Sequence, residues 1–183
     1  MSTPPTPGTP GPAGLLIRPE VAADHDAVRS LHSAAFEGPT EAAIVDRLRE
    51  AVGSLSLVAV EEGRVVGHVL FTAASLALAP SARVALLGPM AVAPSRQRRG
   101  IGSRLIEGGI DDCRRAGYRA VVVVGHAEYY PRFGFERASR FGLAAPFEVP
   151  DEVFMARELV AGGLAGGGAL LLAPAFLEPG GRE

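Results

Sequence analysis

The chain has 183 residues, 48% of them hydrophobic and 21% charged, a composition typical of one globular domain with a sizeable core. Its 18 basic and 20 acidic residues give a net charge of −2, which excludes the strongly basic footprint of a protein that coats nucleic acid or an anionic membrane. All 18 basic residues are Arg, and the absence of Lys excludes lysine Schiff bases and a phosphate-loop lysine.

Cysteine usage and hydropathy set further limits. Cys113 is the single cysteine, which excludes an intrachain disulfide and a thiolate metal cluster. The sequence contains no run of 18 apolar residues, and its N-terminus lacks the basic-then-apolar pattern of a signal peptide. We therefore expect a cytoplasmic protein that binds no metal, no nucleic acid and no membrane.

The two ends of the chain differ in composition from its middle. Residues 1–14 contain five Pro and three Gly, and they offer too little apolar surface to offset the entropy lost on ordering. We predict a disordered tail over residues 1–14, one domain over residues 15–177 and a frayed end over residues 178–183.

Apolar periodicity in the first half of the chain switches between strand and helix patterns. The predicted elements are a strand at Leu15-Leu16-Ile17, a helix capped by Asp24 with Val28, Leu31, His32 and Ala35 on one face, a helix capped by Thr40 with Ile44, Val45 and Leu48 on one face, and strands Leu55–Val60 and Val65–Phe71. A Glu-Glu-Gly-Arg turn joins the last two strands into a hairpin.

The second half contains one strand–helix–strand unit. Its first strand, Val84–Val92, is interrupted by Gly88-Pro89, and we expect a bulge or a divergence of strands there because proline donates no ladder hydrogen bond. The elements that follow are a helix over Gly100–Ala116, a strand over Ala120–Val124, a short helical piece near Tyr129, and strands beginning at Phe135 and spanning Phe154–Val160 and Ala169–Leu172. Hairpins beside one such unit predict a single α+β (mixed α/β) domain.

An arginine-rich loop with two glycines joins the interrupted strand to its helix. It reads Gln97-Arg98-Arg99-Gly100-Ile101-Gly102. The first amides of a helix lack internal partners and the helix dipole makes that end positive, so the loop predicts an anion site suited to a pyrophosphate. The dinucleotide fingerprint is excluded because Leu105 stands where Gly or Ala is needed, and the phosphate loop is excluded because it needs Lys.

Two motifs resemble those of the GNAT superfamily of N-acetyltransferases. Gln97-x-x-Gly100-x-Gly102 is similar to the family's Q/R-x-x-G-x-G/A signature for the pyrophosphate of acetyl-CoA, and Tyr130-x-x-x-Gly134-Phe135 is similar to its Y-x-x-x-G-F segment. The element order from Ile17 to about Leu172 also matches the family. The phrases Val66-Gly67-His68, Leu87-Gly88-Pro89 and Tyr129-Tyr130-Pro131-Arg132-Phe133-Gly134-Phe135 resemble the YhbS-like branch.

This resemblance implies a central, mostly antiparallel sheet that is split into a V by strands four and five and flanked by helices. The pantetheine arm of acetyl-CoA would pair with main-chain groups of Met90 and Val92 like an added strand. The implied cofactor-binding residues are Met90, Ala91, Val92, Gln97, Arg98, Arg99, Gly100, Ile101, Gly102, Ser103 and Arg132. For Arg132 the sequence leaves two roles open, since it would face either the CoA or the acceptor.

The implied activity is transfer of an acetyl group from acetyl-CoA to a primary amine of a small molecule or a protein, directly in a ternary complex. The alternative is a module of the same fold that binds or senses acyl-CoA without turnover. The chain would act as a monomer or a homodimer. Cys113 lies in phase with the buried face of its helix, which favours an inert thiol over an acetyl-cysteine intermediate.

Acetyl transfer to an amine requires an acid for the leaving thiolate and a base for the amine. The resemblance assigns the acid to Tyr130, with Tyr129 as its rival. The strand before the signature carries none of the acidic residues that many family members have there, so the base is left open among His68, His126, Glu128 and a water chain, of which we favour the water chain. His68 lies among valines, where a structural role is the stronger interpretation.

The segment Pro146–Glu158 bears on the acceptor. Phe147, Asp151 and Glu152 mix aromatic and acidic character, and acids near the cleft would suit a cationic acceptor. An ordinary surface loop that enters a strand explains the same composition equally well.

Overall fold

The computed structural model describes residues 14–173 and Phe176. The tail predicted over residues 1–14, apart from Gly14, and the end predicted over residues 178–183 lie outside the described residues. The mixed α/β fold predicted from the element order is confirmed.

Nine strands and three helices follow one another along the described chain. The strands are β1 Leu15–Pro19, β2 Leu55–Glu61, β3 Arg64–Leu76, β4 Ala79–Val92, β5 Ala120–Val124, β6 Glu136–Arg137, β7 Leu143–Ala144, β8 Phe154–Glu158 and β9 Gly168–Leu171. The helices are α1 His25–Ala35, α2 Thr40–Leu48 and α3 Ile101–Arg115. Short 3-10 turns span Ala22–Asp24, Pro94–Arg96, Tyr130–Phe133, Ala138–Phe141 and Asp151–Val153.

The strands form one sheet in the order β1-β2-β3-β4-β5-β8-β6, with β9 pairing to β3 and β7. The neighbours along this path are antiparallel except β4 and β5, which are parallel and are joined through α3. A parallel pair needs such a crossover because no hairpin can connect it. The predicted strand–helix–strand unit is thus β4–α3–β5.

Helix α3 covers one face of the sheet. Its apolar stripe packs on alternate residues of the central strands, and Phe71 of β3 lies so close to Gly109 that a Cβ there would be 2.0 Å from the phenyl ring. Helices α1 and α2 cover the opposite face, where Val28, Val45 and Val58 form a smaller cluster. Among the described residues, no helix has the length and hydropathy needed to cross a membrane.

Both predicted helix caps require correction. Asp24 occupies the N-cap position of α1, but its carboxylate accepts hydrogen bonds from Arg18 and from the backbone N–H of Val21 instead of capping the helix. Thr40 is the first helical residue of α2, and Pro39 stands at the N-cap. Both residue types are common at caps. Asp24 is engaged by other hydrogen-bond donors, and α2 begins one residue earlier than the cap at Thr40 requires.

Strands β3 and β4 are both longer than predicted. The predicted strands ended at Phe71 and began at Val84, whereas the observed strands run to Leu76 and start at Ala79. The added residues are rich in Ala and Ser, which carry little strand signal, and they gain their order from pairing with each other and with β9.

Candidate active site

Strands β4 and β5 diverge about halfway along β4. Their parallel pairing runs from Val84 opposite Ala120 to Leu87 opposite Val123 and then stops. Residues 88–92 of β4 continue beside β3 alone, and we call the gap between this stretch and the end of β5 the β4–β5 cleft. Backbone groups on the outer edge of residues 88–92 therefore face the cleft.

A bulge at Gly88-Pro89 accompanies the divergence, as the sequence predicted. Val69 lies opposite Met90 and Phe71 lies opposite Leu87, so β4 carries one more residue than β3 between these pairs. Gly88 has a φ of +133°, a conformation that side-chain-bearing residues rarely adopt. The bulge reorients the last five residues of β4 away from β5.

The N-terminus of α3 opens beside this cleft. Gly100 is the N-cap residue with a φ of +79°, and a Cβ placed on it would meet nothing within 4 Å among the described residues. The first turn contains no acidic residue. Unpaired helix amides with open space before them can bind an anion through main-chain groups alone.

The arginines of this loop differ in their partners. Arg96 donates to Glu61 at 2.5 Å, and Arg99 lies 3.9 Å from the same carboxylate, which comes from the end of β2. Arg104 donates to the carbonyl of Leu15. Arg98 is exposed and has a φ of +59°. Glu61, which the sequence placed only in a turn, therefore offsets part of the positive charge of the loop.

The predicted cofactor-binding residues come together in space. All but one belong to the end of β4, the connecting loop and the first turn of α3, and Gln97 ties loop to strand by donating to the carbonyl of Val92 at 3.2 Å. Arg132 belongs to the 3-10 turn after β5, and its guanidinium lies 4.3 Å from the ring centre of Tyr129. A Cβ on Gly102 would lie 2.9 Å from the Tyr129 hydroxyl, so Tyr129 connects this turn to α3.

Tyr130 is buried beside the end of β5. Its ring packs edge-on against Tyr129 and Phe135, and only 7% of the residue is exposed. Burial, reinforced by the neighbouring Tyr129, raises the pKa of Tyr130 to about 12. This phenol is therefore protonated at neutral pH, as a proton donor must be.

His126 and Glu128 lie in the loop that follows β5, and both are exposed. The carbonyl of His126 accepts the backbone N–H groups of Tyr129 at 3.0 Å and Tyr130 at 3.4 Å, which starts the turn that carries both tyrosines. The two side chains thus border the same turn as the candidate acid.

His68 lies on the opposite face of β3 from α3 and is fully buried. Its Nδ1 shares a hydrogen bond of 2.8 Å with Nε2 of His32 on α1, and its Nε2 lies 2.8 Å from the hydroxyl of Ser56. Ser56 donates onward to Glu20 at 2.5 Å, and Arg49 donates to the other oxygen of that carboxylate. The sequence missed this chain of polar groups because its five members come from five separate parts of the chain.

The polar chain shifts two pKa values. Burial, and then the nearby His68, lowers the pKa of His32 to about 3. Burial alone raises the pKa of Glu20, but its interactions with His68, Ser56 and Arg49 outweigh burial and lower it to about 2. Both shifts favour the uncharged imidazole of His32 and the ionised carboxylate of Glu20 at neutral pH.

Cys113 is fully buried in the core under α3. Burial, with the nearby Asp112, raises the pKa of its thiol to about 12. A buried, protonated thiol is a poor nucleophile, in keeping with the inert role expected from the sequence. Among residues 14–173, no group of three or more His, Cys, Asp and Glu side chains is placed to hold a metal ion.

A cavity of about 200 Å³ opens where β4 and β5 separate. Its walls come from β4, β5, the segment before β8 and the chain around β9, and the lining residues are Leu86, Leu87, Gly88, Val124, Pro146, Phe147, Leu170, Leu172 and Phe176. Phe147, which the sequence analysis singled out, lines this cavity, whereas Asp151 and Glu152 do not. Asp151 lies 3.4 Å from Arg137 and Glu152 is exposed.

Comparisons with known proteins bear on this site. Residues 17–138 match the family model described as an acetyltransferase (GNAT) domain. The uncharacterized N-acetyltransferase YjhQ of Escherichia coli K12 is 42% identical over 134 residues, which cover 70% of this chain and 74% of YjhQ. The uncharacterized N-acetyltransferase YhbS of the same strain is 32% identical over 154 residues, which cover 83% of this chain and 92% of YhbS.

Two solved structures are similar over most of the chain. Escherichia coli YhbS in complex with CoA superposes with a TM-score of 0.84 at 29% identity, covering 98% of both chains. A GNAT family acetyltransferase from Brucella melitensis in complex with acetyl-CoA superposes with a TM-score of 0.73 at 33% identity, covering 88% of this chain and 97% of that one.

Proposed function

This chain belongs to the GNAT family of acetyltransferases, in its YhbS-like branch, and we propose that it transfers the acetyl group of acetyl-CoA to a primary amine directly, within a ternary complex. The observation that carries the proposal is the unpaired edge of β4 over residues 88–92, which leads from the N-terminus of α3 to the point where β5 rejoins the sheet. Relatives at 29% and 33% identity bind CoA and acetyl-CoA.

In the proposed complex, acetyl-CoA lies along that edge. The pantetheine amides pair with main-chain groups of Met90 and Val92, and the backbone amides from Arg98 to Ser103 bind the pyrophosphate. The open space in front of Gly100 supports this arrangement, since a side chain there would stand between the phosphates and the amides. Arg132, which is exposed beside Tyr129, would serve the remaining phosphate charge.

The proposed reaction forms a C–N bond and breaks the thioester C–S bond. The amine nitrogen attacks the carbonyl carbon, and the tetrahedral intermediate collapses with release of the CoA thiolate. Tyr130 donates its phenolic proton to that thiolate and is reprotonated from solvent. Its raised pKa of about 12 supports one requirement of the donor role, since Tyr130 carries its proton at neutral pH before the thiolate forms.

The proton lost by the amine goes to water in this proposal. His126 and Glu128 are exposed next to the tyrosine turn, where either side chain would accept a proton from a chain of waters. His68 is less suited, because both of its ring nitrogens are already engaged in the buried polar chain. The buried Cys113 also supports direct transfer over an acetyl-cysteine intermediate.

The test is acetylation of a broad panel of primary amines and peptides with acetyl-CoA, detected by mass spectrometry of the products. We expect at least one amine of the panel to be acetylated in the presence of the folded protein and not in its absence. The chain itself contains no Lys, so its only acceptor amine is the α-amino group and self-acetylation adds no acetyl-lysine background. CoA binding measured by calorimetry with no acetylated product from any amine would favour the binding-module alternative.

A further inference from the structure

The cavity near Phe147 stands at the closed end of the β4–β5 cleft. Leu87 forms the last parallel pair of β4, Gly88 begins the divergence, and Val124 follows the last residue of β5 that pairs with β4. In the proposed complex the cleft edge of β4 holds the pantetheine arm, so its thioester end points toward this place. The cavity is therefore the space beyond the reacting carbonyl.

Within the part of the chain that the structure describes, no ionisable side chain lines this cavity. Asp151 faces Arg137, and Glu158 accepts the backbone N–H groups of Gly162 and Leu164. Glu148, which follows Phe147, and Glu152 are exposed and do not belong to the lining. A second cationic group of an acceptor would lose its hydration here and gain no counter-charge. An alkyl or aryl group would instead gain from burial.

On the basis of the proposed function, we propose that this cavity binds an apolar group attached to the acceptor amine. The acceptor class is then a small arylalkyl or alkyl primary amine, in place of a polyamine or another polycation. The volume of about 200 Å³ fits one six-membered ring or a short alkyl chain, since a cavity of ~150 Å³ already takes up benzene. The aromatic Phe147, half of it exposed, forms the rim.

Two adjacent residues give a matched pair of variants. Leu172 is half-buried and lines the cavity, whereas Leu171 is 48% exposed, precedes it in the chain and is absent from the lining. Leu172→Glu places a carboxylate at the cavity wall. Leu171→Glu adds the same charge one residue away and serves as the control for folding and net charge.

Binding is measured first, by methyl NMR titration of the CoA-bound full chain with 2-phenylethylamine, ethanolamine or spermidine. We expect 2-phenylethylamine to shift the methyl signals of Val124 and Leu170, with an affinity at least about tenfold higher than that of ethanolamine or spermidine. Leu172→Glu should abolish these shifts and Leu171→Glu should keep them, while both variants retain the affinity of the wild-type chain for CoA. Equal binding of spermidine and 2-phenylethylamine, or unchanged shifts in Leu172→Glu, would overturn the proposal.

Two further experiments distinguish acceptor binding in the cavity from acyl-chain binding and from the proposed acetyl transfer. If hexanoyl-CoA, with no amine added, shifts the Val124 and Leu170 methyl signals and blocks 2-phenylethylamine, the cavity takes the acyl chain and the acceptor assignment is wrong. Acetylation assays with the same amines address the proposed function separately. Cavity binding of 2-phenylethylamine without acetylation of any amine supports the site and contradicts the proposed activity, whereas acetylation of spermidine alone contradicts the site and supports the activity.

Discussion

The ring of Tyr130 rests on the backbone of Gly125: a Cβ atom at residue 125 would lie 2.4 Å from Cε2 of the tyrosine. Gly125 follows the last residue of β5, and its N–H donates to the carbonyl of Val153. The glycine is therefore required by a close approach of the ring, and it determines where the hydroxyl of Tyr130 lies.

Gly125→Ala should displace that ring. We expect kcat to fall by about 10- to 100-fold, because a misplacement near 1 Å is costly in a catalytic group, and the free energy of unfolding to fall by about 1–3 kcal/mol through overpacking. CoA affinity should change little. Gly38→Ala is the control, since the nearest atom to its new Cβ is 4.0 Å away, and equal kcat values for the two variants would contradict the assignment.

Tyr130→Phe should remove the proton donor and keep the packing. General acids contribute about 10²–10⁴-fold, so we expect a loss of that order in kcat with an unchanged dissociation constant for CoA. Tyr129→Phe should act mainly on the KM for acetyl-CoA, because the Tyr129 hydroxyl lies against Gly102. A larger kcat loss in Tyr129→Phe than in Tyr130→Phe would reverse the two roles.

The raised pKa of Tyr130 also predicts the alkaline behaviour of kcat. A donor with a pKa of about 12 stays protonated through the ordinary alkaline range, so kcat should show no fall below about pH 10 from loss of this proton. The measurement is the pH profile of kcat at saturating substrates. A descending limb below pH 9 that disappears in Tyr130→Phe would show that the phenol titrates earlier than this.

Gly100→Leu tests the anion site at α3. Gly100 has a φ of +79° with open space around its Cβ position, and Gly63 in the β2–β3 turn has a φ of +76° with the same open space. Gly63→Leu is therefore the control, because both substitutions carry a similar backbone cost of about 1–2 kcal/mol. We expect Gly100→Leu alone to weaken CoA binding, by at least about tenfold in calorimetry, and equal binding by the two variants would contradict the site.

Acid should destabilise the protein through the buried polar chain. The folded pKa of His32 is about 3, below its unfolded value of 6.5, so the unfolded state takes up a proton first as the pH falls from 6.5 toward 3. Glu20, with a folded pKa of about 2 and an unfolded value of 4.5, adds a loss in the same direction below pH 4.5. Each such proton lowers the free energy of unfolding by about 1.4 kcal/mol per pH unit.

The measurement is urea unfolding between pH 7.5 and pH 5. His32→Gln keeps an amide donor toward His68 and does not titrate, so its stability should depend less steeply on pH by about one proton over this range. Asp26 lies on the same helix and is exposed, and Asp26→Asn serves as the control with an unchanged slope. An unchanged slope in His32→Gln would show that His32 is protonated in the folded state.

Features encoded within a few neighbouring residues could be predicted from the sequence. The helix that starts after Gly100 follows from local spacing, because unpaired amides and a left-handed N-cap are properties of one short segment. The divergence at Gly88-Pro89 follows from the missing proline N–H. The burial of Cys113 follows from its helical phase.

Relations between distant segments were decided by the tertiary structure alone. Tyr129 and Tyr130 have the same chemistry and adjacent positions, and only packing against Gly102 or Gly125 distinguishes them. Glu61 meets Arg96 across 35 residues of chain.

The sequence by itself predicted the order of the elements and the family, and it located the glycine loop that we propose binds phosphate, because those depend on periodicity and on short motifs. The apolar cavity joins residues of β4, β5, the segment before β8 and the chain after β9, and no short motif records it. Which side chains face the reacting carbonyl depends on the sheet register and on the point where β4 leaves β5, and these arise from long-range pairing.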